Sequence, residues 1–120
     1  MKPIKYIILF LISVTSLSSK AQAIKPLPEF KNEIVVIKTY EEPGGLSNGY
    51  LDVSDGSDVK YTVKLGSLKA GNQPENASTL AQVLNELKKQ KYKLIESNSG
   101  STAVAGAMTV FISNYILQKE

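Results

Sequence analysis

Two hydrophobic periods divide the chain from residue 33 onward. Glu33 to Tyr40 (EIVVIKTY) is rich in β-branched residues and holds Ile34-Val35-Val36-Ile37 at consecutive positions, as in a strand covered on both faces. Glu42-Pro43-Gly44-Gly45 ends it with a turn signal. Leu46 to Ser54, with Asn48-Gly49 near its start, predicts a second strand. Asp55-Gly56 separates it from Val59 to Leu65, where Val59, Tyr61, Val63 and Leu65 alternate with polar residues, so a hairpin is predicted. After a connector at 66–73 the period changes. Ala77, Leu80, Ala81, Leu84 and Leu87 recur at spacings of three and four, with Val83 beside them, the stripe of an amphipathic helix. Tyr92 to Asn98 and Met108 to Lys119 read as strands again. Between them Ser99 to Ala107 contains only small side chains, and a mobile loop is expected there.

The resulting order is β-β-β-α-β-β. Hairpins place neighbours antiparallel, and one helix covers one face, so the predicted class is α+β: an antiparallel sheet with one helix packed on one face. Pro74 opens the helix. Asn72 with Glu75 could form a capping box, and Asn76 or Ser78 could cap instead.

Two segments precede this domain. Residues 1–23 combine Lys2 and Lys5, the apolar run YIILFLISV from Tyr6 to Val14, and a small, polar end at Ala21-Gln22-Ala23, the marks of a cleaved secretory signal peptide. A membrane anchor would need roughly 20 apolar residues. Residues 24–32 (IKPLPEFKN) carry Pro26 and Pro28 and predict an extended N-terminal arm. The division is therefore signal peptide 1–23, arm 24–32 and a single domain at 33–120, exported to the periplasm or beyond, with no stable membrane anchor after cleavage.

Composition then narrows the chemistry. The whole chain carries a net charge of +3, but Lys2, Lys5 and Lys20 depart with the signal, leaving eleven lysines level with eleven acids. A neutral, arginine-free domain lacks the electrostatic footprint of a nucleic-acid binder. Cysteine and histidine are absent, which excludes disulfides, thiolate or imidazole metal sites, cysteine nucleophiles and histidine-based triads.

Tyr92-Lys93-Leu94-Ile95, the Ser97-Asn98-Ser99-Gly100 run and Tyr115-Ile116-Leu117-Gln118-Lys119, with the Pro43-Gly44-Gly45 turn, together resemble a loose group of small uncharacterised bacterial domains, several of them secreted. The resemblance implies a fold and no activity. In that pattern a glycine stands just past the helix, where this chain has Lys91. If the backbone is left-handed there, lysine is strained and Lys91→Gly should raise the melting temperature.

No residue is assigned a catalytic, cofactor-binding or metal-binding role. Asp52, Asp55 and Asp58 around Gly56 do not match a calcium loop, because counting back from Gly56 places Leu51 and Val53 where acids are needed. They read as turn residues, and Glu41 and Glu42 as a solvated strand end. Lys88, Lys89, Lys91 and Lys93 read as lysines complementing the helix dipole, though such a run could meet an anionic lipid or glycan. Gly-x-Ser-x-Gly is absent, and Asn76-Ala77-Ser78 fits an N-glycosylation sequon as well as a helix start. Tyr40, Tyr50, Tyr61 and Tyr115 read as half-buried strand residues that could alternatively stack on sugars.

One feature calls for a partner. Val110, Ile112 and Ile116 point opposite to Phe111, Tyr115 and Leu117, and Ile34 and Val36 opposite to Val35 and Ile37. The helix hides one of these sets. The other is expected to lie under the arm (Ile24, Leu27, Phe30), under the Ala103 to Ala107 loop, or against a protein partner or second subunit. The sequence thus predicts a non-catalytic binding or assembly module without cofactors; the alternative is a glycan- or peptide-binding domain using the sheet tyrosines and the 99–107 loop.

Overall fold

The computed structural model describes residues 23–42, 49–66, 73–104 and 108–120, with backbone alone for 102–104, 108 and 109. In chain order the elements are β1 (Ile34–Glu41), β2 (Tyr50–Ser54), β3 (Lys60–Lys64), α1 (Gln73–Lys89), β4 (Tyr92–Val104) and β5 (Met108–Lys119). The strands form one antiparallel sheet in the order β3-β2-β1-β5-β4. The helix connection carries the chain from one edge of the sheet to the other, and the class is α+β with the order that the periodicities predict. The expected signal peptide, apart from Ala23, lies outside the described residues, as do Pro43-Gly44-Gly45, Asn48 and Asn72.

β1 sits in the middle of the sheet, and its apolar run is divided by the pleat. Val35, Ile37 and Thr39 are buried toward the helix, while Ile34, Val36 and Tyr40 are only partly covered on the other side. The expectation of a strand covered on both faces is thus half right: consecutive apolar residues record centrality in the sheet, and one face is covered. Gly49 leads into β2 where a Cβ would lie 2.0 Å from the Tyr40 carbonyl oxygen, so only glycine fits this approach. The β2–β3 hairpin turns at Gly56, with φ of 85°, and Asp55 Oδ1 accepts from the Ser57 amide at 3.0 Å and hydroxyl at 2.5 Å. Tyr61 and Leu65 are buried as the alternation requires, whereas Val59 is exposed in the turn before the strand.

In α1, Pro74 and Glu75 occupy the first turn, and Lys88 and Lys89 the last. The buried face is rotated from the expected stripe: Val83 and Leu87 are fully buried, Leu80 and Leu84 pack at the margin, and Ala77 and Ala81 are exposed. Alanine loses little by facing water, so it did not define the face. Asn76 takes a buried position because its amide is fully engaged, accepting from the Gly66 amide at 2.9 Å and donating to the Gly66 carbonyl at 3.0 Å. Asn76 is therefore a clasp between the helix and the end of β3.

The arm packs beside the helix, on the same side of the sheet. Phe30 is fully buried among Val35, Ile37, Val53, Val83 and Leu87, with Ile24 and Leu27 at the margin of that cluster. Gln90 Oε1 accepts from the Phe30 amide at 2.9 Å while its Nε2 donates to the Pro28 carbonyl at 2.8 Å. The Tyr61 hydroxyl donates to the Lys25 carbonyl at 2.6 Å, and the Tyr92 hydroxyl to the Asn32 carbonyl at 2.5 Å. These bonds satisfy an arm whose two prolines leave it few backbone donors. The arm thus does not cover the second face of the sheet, contrary to one of the expectations for it.

The mobile loop expected over 99–107 is also corrected. β4 continues to Val104 and, after a register shift between Leu94 and Glu96, pairs residue by residue with β5 as far as Val104 opposite Met108. Small side chains do not prevent a ladder, because its hydrogen bonds come from the backbone, and the β-branched residues of β5 supply a regular partner. Only 105–107 separate the strands, and they lie outside the described residues.

Candidate functional site

The face of the sheet turned away from α1 is built from alternate residues of all five strands. The register sets Ile34 and Val36 beside Gln118 and Ile116, Lys38 beside Asn114, and Tyr40 between Ile112 and Tyr50. Val36, Ile112 and Ile116 are half-buried and Ile34 is exposed, with no helix or arm above them among the described residues. The apolar surplus predicted from β1 and β5 is therefore present, and the two sets diverge as expected. Gly100 lies opposite Ile112 with nothing within 4 Å of the place a Cβ would occupy, leaving that flank of Ile112 bare.

Toward β2 and β3 the face becomes aromatic and polar. Tyr40 and Tyr50 stack with ring centroids 4.5 Å apart and 28° between their planes, and Lys38 Nζ lies 5.9 Å from the Tyr40 centroid. Thr62 donates to Asp52 Oδ1 at 2.7 Å. Lys38, Tyr40, Asp52, Ser54 and Thr62 border a shallow depression of roughly 380 Å³. Desolvation against the sheet raises the Tyr50 phenol above its ordinary pKa, and the neighbouring Tyr40 and Asp52 add to the effect.

The four singled-out tyrosines are not brought together. Tyr40 and Tyr50 share the open face, whereas Tyr61 is buried under the arm and Tyr115 packs against the core from the helix side. The carboxylates also separate. Asp52 serves the open face, and Asp55, on the other side, binds the arm, accepting from the amides of Lys31 at 3.2 Å and Asn32 at 3.4 Å. Glu41 Oε2 accepts from Asn76 at 3.5 Å and so is tied to the clasp, not merely solvated. Among the described residues, no three acidic side chains converge as a metal site would require. The basic run divides too: Lys89 pairs with Glu86 at 2.8 Å on one flank of the helix, while Lys88 and Lys93 border the other.

Sequence reasoning missed Gln82, Gln90 and Asn76 as the residues that hold the arm and the connector. Their signal, polar side chains on the helix and just past its end, was outweighed by the leucines and alanines around them.

Compared with protein-family models and with curated proteins, the chain matches none. No helix among the described residues is long and apolar enough to cross a membrane.

Proposed function

We propose that this chain is a small exported module of the periplasm or cell exterior, without catalytic activity, that binds a protein partner or a second copy of itself through its open sheet face. The observation that carries the proposal is the uncovered strip of Ile34, Val36, Ile112 and Ile116 across β1 and β5. Contiguous apolar surface of this kind is costly in water and favours association. Export rests on the pattern of residues 1–23, and the likeness to small secreted domains agrees with it.

Sedimentation of the protein together with a hydrophobic dye tests this. Self-association or dye binding that Ile112→Glu abolishes, with the fold retained by circular dichroism, is the expected result. A monomer that binds no dye would remove the reason for a partner on this face.

A second reading is favoured by the Tyr40–Tyr50 stack beside the Lys38, Asp52 and Thr62 side chains, which together offer an aromatic platform and polar groups to a glycan or peptide. In this reading the tyrosine pair carries the binding. Residues 99–104, being strand, have no lid-like part in it.

A further inference from the structure

The register lays out the open face in rows that cross the strands. Tyr50, Tyr40, Ile112 and Gly100 stand side by side on β2, β1, β5 and β4. The next row along the strands is polar: Asp52, Lys38, Asn114 and Asn98. The third is Ser54, Val36, Ile116 and Glu96. At the edge, β3 extends the three rows with Lys64, Thr62 and Lys60.

We propose that this face packs on the same face of a second copy, with the two-fold axis running along the strands between β1 and β5. The proposal rests on the reading of the open face as a binding surface and names its occupant. Sheets that meet face to face keep their strands within about 30° of one another, so the axis lies in the plane between them, along the strands or across them. Any axis across the strands that keeps Ile34, Val36 and Ile116 in the contact sets Lys38 against another Lys38, or against Val36 or Ile34. Along the strands, an axis on β1 again sets Lys38 on Lys38, and one on β5 sets Val36 on Glu96. Axes further out set Ile116 on Lys60 or on Glu96.

Between β1 and β5 the rows match. Val36 meets Ile116 of the second copy, and Tyr40 meets Ile112. Tyr50, 41% exposed, comes over Gly100, where nothing lies within 4 Å of the place a Cβ would occupy. The polar row matches as well. Asn114 Nδ2 donates to Asn98 Oδ1 at 3.1 Å, which leaves Asn114 an oxygen to accept and Asn98 a nitrogen to donate. Opposite Asn114 comes Lys38, a donor, and opposite Asn98 comes Asp52, whose Oδ1 takes Thr62 and whose Oδ2 is left to accept. Each Lys38 has Asp52 beside it in its own row, which balances the charge at the centre. At the rim, Lys60 lies next to Glu96 of the other copy.

The size is sufficient for a specific contact. Four facing strands and four residues along each, counting Ile34 and Gln118, cover roughly 20 by 25 Å, so the pair removes roughly 1,000 Å² from water. That is the lower bound of specific association, about 1,000 Å².

Sedimentation velocity over a concentration series is the test, with dye binding measured in parallel and the fold of each variant checked by circular dichroism. A dimer is expected by about 100 μM protein. Gly100→Leu enters open space in the single chain but occupies the place of the Tyr50 ring, so it should raise the dissociation constant about tenfold or more although the face becomes more apolar. Lys60→Glu sets like charges together and should also weaken the dimer, and adding Glu96→Lys should restore it. That repair has to come from the other copy, because β3 and β4 are the opposite edges of one sheet. Association that Gly100→Leu leaves unchanged or strengthens, or a Lys60→Glu loss that Glu96→Lys does not repair, overturns the proposal. A monomer that binds the dye, and no longer does so as Ile112→Glu, overturns the second copy and leaves the face to a different protein. A monomer that binds no dye overturns both readings.

Discussion

Lys91 ends the helix in a conformation that its side chain disfavours, and Lys91→Gly measures by how much. Its φ is 72°, and among the described residues it is the one non-glycine with positive φ. The geometry is that of a helix stop: the Lys91 amide donates to the Lys88 carbonyl at 3.0 Å, and Tyr92, the next residue, is buried in the same cluster as Leu87. A left-handed L-residue costs roughly 1–2 kcal/mol through its Cβ. Glycine removes that cost but gives the unfolded chain more freedom, worth roughly 0.5–1 kcal/mol. The net gain is about 0.5–1 kcal/mol, or a rise in melting temperature of about 2–8 °C for a domain of this size. The backbone bond from the Glu120 amide to the Lys91 carbonyl, at 2.8 Å, is untouched by the change. Since glycine also deletes a cation near the helix C-terminus, Lys91→Ala is the control, because it loses the charge and keeps the Cβ. Calorimetry of the three proteins should rank glycine above wild type and alanine at or below it. A glycine variant no more stable than the alanine variant would refute the strain argument.

Two further predictions concern the arm. Asp55 is 8% exposed, and hydrogen bonds from the Ser57 hydroxyl and amide, with smaller contributions from the Lys31 and Asn32 amides, lower its pKa from 3.8 to about 2. A depressed carboxyl pKa contributes stability that is present above pH 4 and is lost as pH falls from about 4 to 2, and Asp55→Asn should flatten that part of the profile of urea midpoint against pH. Equal steepness in the variant would mean that the ionised carboxylate's bonds to Ser57 and the arm amides do not contribute to stability. Phe30→Ala empties a fully buried site and should cost about 3–5 kcal/mol in urea unfolding, a large share of the 5–15 kcal/mol typical of a domain. A loss below about 1 kcal/mol would mean that the arm is an accessory to the core and not part of it.

What the sequence made legible was what a single period carries. The alternation through Tyr61, Val63 and Leu65, the Asp55-Gly56 turn and the leucine spacing of α1 each depend on residues a few positions apart, and each has its counterpart in the structure. The class and element order followed from these. What failed depended on contacts made across the sequence. Ser99 to Val104 has no side-chain signal for a strand, yet its backbone pairs with β5, a partner whose register no local pattern announces. The helix face was misplaced by one position for a similar reason. Asn76 is buried because Gly66 meets its amide, and Gln90 faces inward because the arm returns to it from residues 28 and 30. A polar residue satisfied by distant backbone looks, in a sequence, like one satisfied by water.

The candidate site divides along the same line. That β1 and β5 each carry two apolar faces was legible, since strand side chains alternate whatever they touch. Which face lacked a cover was not, because that depends on where the arm goes. Phe30 could have sealed either side of the sheet. It enters the helix side because Asp55, Tyr61, Gln90 and Tyr92 all present hydrogen-bonding groups there to the backbone of residues 25–32. A segment with two prolines lacks two ladder donors and does not pair as a regular strand, so its carbonyls accept from side chains instead. Once those partners commit the arm to the helix side, the strip of Ile34, Val36, Ile112 and Ile116 is left open. The hydrogen-bonding needs of nine residues thus decide which face of the sheet remains available for binding.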